Sequence, residues 1–230
     1  MSVNLEKVKN LDISKVSASD PRVLDNGSKL VYLNYNSGKF TVQTPWMSLP
    51  WDMSCYTEGA YPKYSIDLSF KGYEDSKILG ETLSKFKELD EKLIDIGLQK
   101  SVQFFKKKTN SREVIEGHYS SIIKYSKDKE TGEIDNKYPP SIKVKIPYKD
   151  DNFDVQLYDE NKVKYDLHDN DSDKKITDLL VKNTEARCIL QCVGIWIASG
   201  SYMCQWKLLK AELKVPENKC EFMPDSDDEN

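Results

Sequence analysis

Two long strands near the end of the sequence constrain the fold more than any other feature. Ala186 to Ala198, an apolar strand, and Tyr202 to Leu213 are the two strongest strands of the sequence, and only Ser199-Gly200-Ser201 separates them. Two strong strands joined by a Gly-centred turn read as a β-hairpin. On the first arm Cys188, Leu190, Cys192, Trp196 and Ala198 fall on one face, with Cys204 and Trp206 in the partner arm. That face, with both Trp rings, is predicted core. The longest apolar run, Cys188 to Ala198, is interrupted by Gln191 and is too short to cross a bilayer.

The rest of the chain supplies partners for this hairpin. Residues 1–28 are polar and weakly patterned, and read as an N-terminal extension ending in the turn Asp25-Asn26-Gly27. Alternation begins at Leu30 to Tyr35, turns at Ser37-Gly38 and resumes through Gln43. Thr44 to Trp51 reads as a loop rich in Pro and aromatics, and Tyr64 to Phe70 as another strand. A helix is predicted over about 75–108, with Asp75 or Ser76 as N-cap, a stripe through Leu79, Leu83, Phe86 and Leu93, and a possible break at Gly97. His118 to Tyr125 and Ile142 to Ile146 are strand-like arms around the turn Glu130-Thr131-Gly132. Phe153 to Tyr158 is a further strand, set to pair with Val163 to Leu167, and Lys174 to Val181 a short helix before the final hairpin. The expected fold is mainly β, a small closed barrel of OB type with one long inserted helix. It spans residues 29–216 as a single domain, followed by a disordered acidic tail over 217–230.

Charge is informative only once it is divided. The formal net charge is −4, yet from Glu217 onward six acids against one lysine give −5. The remaining 33 Lys+Arg against 32 Asp+Glu leave the body at +1. A second acidic stretch, Asp150 to Asp173, leaves residues 60–149 rich in lysine. A near-neutral body of this kind can carry a basic face, and the acids Asp225, Asp227, Asp228 and Glu229 behind Pro224 are expected not to pack. MSVNLEKVKN lacks the apolar stretch of a signal peptide, so an intracellular protein (host cytoplasm, viral factory or nucleus) with reduced thiols is expected.

Enzyme chemistry finds little purchase. His118 and His168 are the two histidines, and neither has a nucleophile elbow or metal-ligand spacing nearby. There is no phosphate loop and no dinucleotide fingerprint. Cys188, Cys192 and Cys204 are read as buried thiols rather than a zinc site. Asp166, Asp169, Asp171 and Asp173 lack the turn glycine and terminal Glu of a calcium loop. The chain is therefore expected to be no enzyme, with no cofactor and no metal.

Nucleic-acid chemistry finds more. Thirteen Tyr and four Trp are a heavy aromatic load for a core of this size. Trp46 and Trp51, hemmed by Pro45 and Pro50, either present indole faces for base stacking or plug one end of the barrel. Lys124, Lys127, Lys143 and Lys145 converge if the arms around Gly132 pair, with Tyr119, Tyr125 and Tyr138 beside them. A lysine row can follow a phosphate backbone while tyrosines stack on bases. An ordinary solvated strand face explains the same alternation.

The run Lys124-Tyr125-Ser126-Lys127-Asp128-Lys129-Glu130-Thr131-Gly132, then Lys137-Tyr138-Pro139-Pro140-Ser141-Ile142-Lys143-Val144-Lys145-Ile146, resembles the central hairpin of the single-stranded DNA-binding proteins of nucleocytoplasmic large DNA viruses. Ile176-Thr177-Asp178-Leu179-Leu180, Gly194-Ile195-Trp196 and Trp206-Lys207-Leu208 carry the same resemblance. These proteins are similar to a phage replication type that joins an OB-fold core to an acidic C-terminal tail. The resemblance implies sequence-independent coating of single-stranded DNA in viral replication, recombination or repair. It also implies a tail that recruits viral replication proteins; that a tethered polyanion at high effective concentration occupies the cationic groove when DNA is absent is expected from its charge alone. A homodimer and no membrane contact are further expectations. The competing expectation, of a different class, is a protein-interaction or virion-structural module that binds no nucleic acid.

Overall fold

The computed structural model describes residues 5–59, 61–109, 111–167 and 175–217. The tail acids Asp225, Asp227, Asp228 and Glu229, and most of the acidic stretch's end, lie outside them. Seven strands position the site: β1 (Leu5–Lys7), β2 (Thr41–Ser48), β3 (Lys63–Ser69), β4 (Ser141–Ile146), β5 (Gln156–Tyr158), β6 (Glu185–Ala198) and β7 (Ser201–Lys214). Their pairing order is β1-β2-β3-β4-β7-β6, and β6 also pairs with β2. Four helices accompany them: α1 (Lys77–Gln99), α2 (Ser101–Phe105), α3 (Arg112–His118) and α4 (Ile176–Leu179). The chain is mostly β, as its alternation predicts.

Inward faces follow the two-residue period. Ile142, Val144 and Ile146 of β4 are buried while Lys143 and Lys145 point outward. Ile66 and Leu68 of β3 join them in the core. β3 and β4 pair antiparallel along their full lengths, from Ser141 opposite Ser69 to Ile146 opposite Tyr64. β2 touches β3 only at Ser48 opposite Ser69, so that seam is the weakest in the sheet. The long β6–β7 hairpin forms as its pattern predicts, turning at Ser199-Gly200, both in the left-handed region.

α1 buries one face in the core. Ser76 caps it, its Oγ accepting from the Leu79 N–H at 3.4 Å. Leu83, Phe86, Leu89 and Leu93 are buried, each contributing on the order of 1.5–3 kcal/mol by leaving water. Phe86 packs edge-to-face on both Phe70 and Trp206. Arg112 on α3 ties back to Glu91 and Asp95 of α1. The helix runs through Gly97 rather than breaking there, and ends at Lys100.

Four local expectations are corrected. Trp196 is not core: a bulge between Cys192 and Gly194 switches the buried set from Cys188, Leu190 and Cys192 to Ile195 and Ile197. Trp196 is thereby turned to the opposite, partly exposed face. Gly194 adopts φ +129°, and a Cβ there would strike the Val31 carbonyl, so no other residue fits easily. Trp46 lies in a strand, because β2 continues to Ser48 across Pro45. A register shift in β6 absorbs the proline, and the Cys188 N–H donates instead to Thr44 Oγ1 at 3.0 Å. The arm expected over His118 to Tyr125 is mostly not strand. His118 ends α3, and only Tyr119–Ser120 and Ile123–Lys124 pair. Finally, Gln156–Tyr158 pairs in parallel with β7, leaving a single bridge from Tyr158 to Lys164 where a hairpin is expected. Within the N-terminal extension, β1 pairs with β2, and Val8, Leu11 and Val16 are buried.

Candidate nucleic-acid interface

Trp51 follows β2 on a short segment that is pinned on both sides. The Leu49 N–H donates to the Thr184 carbonyl at 2.9 Å, and the Met53 N–H to the Leu180 carbonyl at 2.8 Å. Asp52 accepts from the Lys182 N–H at 2.7 Å. With Pro50 restricting the backbone, the indole is held rather than free. Its ring remains 49% exposed.

Tyr138 comes from the segment just before β4 and is equally well anchored. Ser126 Oγ donates to Asp135 Oδ1 at 2.5 Å and accepts from the Tyr138 N–H at 3.1 Å. Asp135 also accepts from the Lys137 N–H, and these bonds hold its carboxyl below the usual carboxylate range. The Asp128 carboxylate caps the turn, accepting from the Glu130 and Thr131 N–H groups at 2.8 Å each. Tyr138 is 50% exposed, with the Lys137 ammonium 5.6 Å from its ring.

The two rings meet edge-to-face, centroids 5.9 Å apart at 77°. They open onto a groove of about 700 Å³ that Trp46 also lines, with Lys71 and Lys182 at its sides. The half-buried Trp46 carries the Arg187 guanidinium at 5.0 Å and the Lys214 ammonium at 4.7 Å from its ring. Three of the predicted aromatic residues are thus brought into one groove by the fold.

Ser69 and Ser141 floor the groove, and from Ser141 the outward face of β4 continues to Lys143 and Lys145. Lys143 sits 3.7 Å from Asp67, and Lys145 donates to Gln205 Oε1 at 2.8 Å. Lys207 stands opposite Lys145 in the register of β7 and β4. Desolvation and then the charge of Lys63 push Lys145 below the ordinary lysine pKa. Lys124, paired opposite Ser141, is lowered by desolvation and by the like charges of Lys127 and Lys143, against an opposing pull from Asp90. For both lysines burial is the larger cause and neighbouring like charge the smaller, and an anion laid across the face would favour their charged forms.

Tyr119 and Tyr125 are not part of that surface. The Tyr119 hydroxyl donates to Asp90 of α1, and its ring packs 4.9 Å from Tyr202. Burial pushes its pKa far up. Asp90 also accepts from Ser121 Oγ at 2.5 Å and the Ile122 N–H at 2.8 Å, which binds this segment to the helix. Tyr125 is half-buried against the core, with Lys87 6.0 Å from its ring.

The groove also holds cations that a reading of the sequence passes over. Lys71 and Lys182 carry no periodic signal and reach the site through the fold alone. Lys207, beside Lys145 on the lysine face and not in the groove, is legible from strand alternation. Tyr56 and Tyr61 stand exposed near the start of β3, Tyr61 at 80%, and Lys63 lies 5.7 Å from the Tyr56 ring.

No protein-family model matches the chain, and no curated protein matches its sequence. Solved structures similar to it include the single-stranded DNA-binding protein of bacteriophage Enc34 in complex with ssDNA, at 13% identity. That match covers 87% of this chain and 97% of the phage protein, with a TM-score of 0.49. Another is gp2.5, a single-stranded DNA-binding protein encoded by bacteriophage T7, at 11% identity, covering 83% of this chain and 93% of that one with a TM-score of 0.45. Both are phage proteins, and neither comes from a nucleocytoplasmic large DNA virus.

Proposed function

We propose that this protein binds single-stranded DNA without sequence preference. The observation that carries the reading is the pinned, half-exposed Trp51–Tyr138 pair at the mouth of a groove that runs onto the Lys143–Lys145 face. Every base has a π-face, so a fixed ring accepts any of them, at about 1–3 kcal/mol per stacked base. Lysines at two-residue spacing on an outward strand neutralise phosphates without reading bases. Among the described residues no three His, Cys, Asp or Glu side chains gather as metal ligands.

We read the circuit β2-β3-β4-β7-β6, returning to β2, as an OB-type barrel with α1 inserted between β3 and β4, a reading that the pairing order supports. The acids beyond Glu217 form a tethered polyanion that competes for the cationic face when DNA is absent, in the setting of viral replication, recombination or repair.

Titration with oligo-dT tests the core of the proposal. Trp fluorescence is expected to quench on binding, with affinity falling steeply as salt rises and tightening when residues 217–230 are deleted. Tailless protein that leaves labelled oligo-dT unbound at low salt would sink it.

A further inference from the structure

The groove at Trp51 and Tyr138 does not stop at its inner wall. The Trp46 ring is shared between it and a second concavity of about 230 Å³, lined by Lys7, Lys9 and Arg187. Arg187 is shared in turn with a third, of about 360 Å³, which holds Tyr158, Lys162 and Lys210. Strand register explains the chain of hollows. Arg187 of β6 lies opposite Trp46 of β2, two residues on Ile189 lies opposite both Gln43 and Lys210, and β5 sets Tyr158 beside Glu212.

Charge along this path favours an anion. Arg187 is paired with Glu212 at 2.5 Å and Lys214 lies 3.7 Å from Glu185, so those cations are partly neutralised where they flank Trp46. Lys7, Lys9, Lys162 and Lys210 form no ion pair among the described residues. The path therefore passes three aromatic stations, each flanked by cations: Trp51 and Tyr138 with Lys71 and Lys182, Trp46 with Lys7, Lys9 and Arg187, and Tyr158 with Lys162 and Lys210. A single strand presents bases and phosphates in the same alternation.

Resting on the proposed function, we propose that a bound single strand leaves the Trp51–Tyr138 groove over Trp46. It continues along Arg187 to Lys162 and Lys210. The footprint is then longer than the groove, and the far lysines are felt only by a strand long enough to reach them. A duplex does not fit this description, because its bases are stacked on each other and not available to the rings.

The test compares oligo-dT of about 6 and about 16 nucleotides, lengths that bracket the site sizes common for one such domain. Each is titrated at several salt concentrations against wild type, Lys162→Ala/Lys210→Ala, and Lys9→Ala as an independent, partly exposed variant on the path. The double variant is expected to bind the short oligomer as wild type does. It is expected to bind the long one several-fold more weakly, with the salt slope reduced by about 1.4, near 0.7 per lost phosphate contact. Lys9→Ala is expected to weaken the long oligomer with about half that loss of slope. Unchanged long-oligomer binding overturns the extended path, and so does equal weakening of both lengths, which would mean a general field effect. If wild type binds neither length, the groove reading itself falls, and the two failures are told apart.

Discussion

Gly97 of α1 lies directly against the Tyr202 phenol of β7, and a Cβ at that position would come within 2.8 Å of Tyr202 Cζ. The Tyr202 hydroxyl donates to the Leu93 carbonyl one turn earlier at 3.4 Å, so helix and hairpin are locked at this point. Gly97→Ala is expected to destabilise the protein by about 1–3 kcal/mol through overpacking, despite a helix-propensity gain of up to about 1 kcal/mol. Gly117, in α3, has open space around its missing Cβ. Gly117→Ala is expected to raise stability by about 0.5–1 kcal/mol. Urea denaturation of the two variants checks the pair: the same chemical change should move the midpoint in opposite directions.

The Trp51–Tyr138 pair makes the corresponding prediction for binding. Trp51→Ala and Tyr138→Ala are each expected to weaken oligo-dT binding by about 1–3 kcal/mol, roughly 5- to 150-fold. Both rings are half in solvent, so the loss of stability is expected to stay within about 1 kcal/mol. Trp51→Phe should keep most of the affinity, because a flat ring is what matters. The experiment pairs a binding isotherm with a thermal melt. A variant that melts like wild type and also binds like wild type would place the base-stacking surface elsewhere.

Much of this arrangement is legible in the sequence, and the failures share one cause. Alternation in Ser141–Ile146 assigns the core to Ile142, Val144 and Ile146 and the outward face to Lys143 and Lys145, because a paired strand allows nothing else. The same logic fails for Trp196, since the bulge at Gly194 inserts one residue and exchanges the two faces beyond it. Trp51 and Tyr138 can each be singled out from their Pro-rich surroundings. Their meeting depends on backbone bonds to Thr184, Leu180 and Ser126, which no local pattern records. Tyr119 looks as available as Tyr138 in sequence. Asp90 decides otherwise, a carboxylate on a different element that draws the Tyr119 hydroxyl inward.

The lysine face should be recognised by its salt dependence rather than by affinity alone. Lys143→Ala and Lys145→Ala are each expected to lower the slope of log K against log salt by about 0.7, and the double variant by about 1.4. Discrimination among dT, dA and dC oligomers should be unchanged, since phosphate contacts carry no base information. Lys143→Arg and Lys145→Arg should retain the slope. Titrations at several salt concentrations read this directly, and a double variant with the wild-type slope would remove β4 from the phosphate path.

Alkaline pH should probe the core beneath β2 and β6. Cys188 is fully buried, and burial pushes its thiol up to about 12 from an ordinary 9.0. A pKa raised in the folded state means that the native protein holds the proton while the unfolded chain releases it. The associated stability is therefore complete below pH 9 and is lost as pH climbs from about 9 towards 12. Three pH units correspond to roughly 4 kcal/mol at most. Tyr202, also raised by burial, acts in the same direction at higher pH. Cys188→Ala is expected to lower stability at pH 7 by opening space in the core. It should also flatten the decline of the urea midpoint between pH 9 and 11, because one of the groups that ionises on unfolding is gone. Wild type and Cys188→Ala curves that stay parallel across that range would show that the thiol is reached by water in the native state.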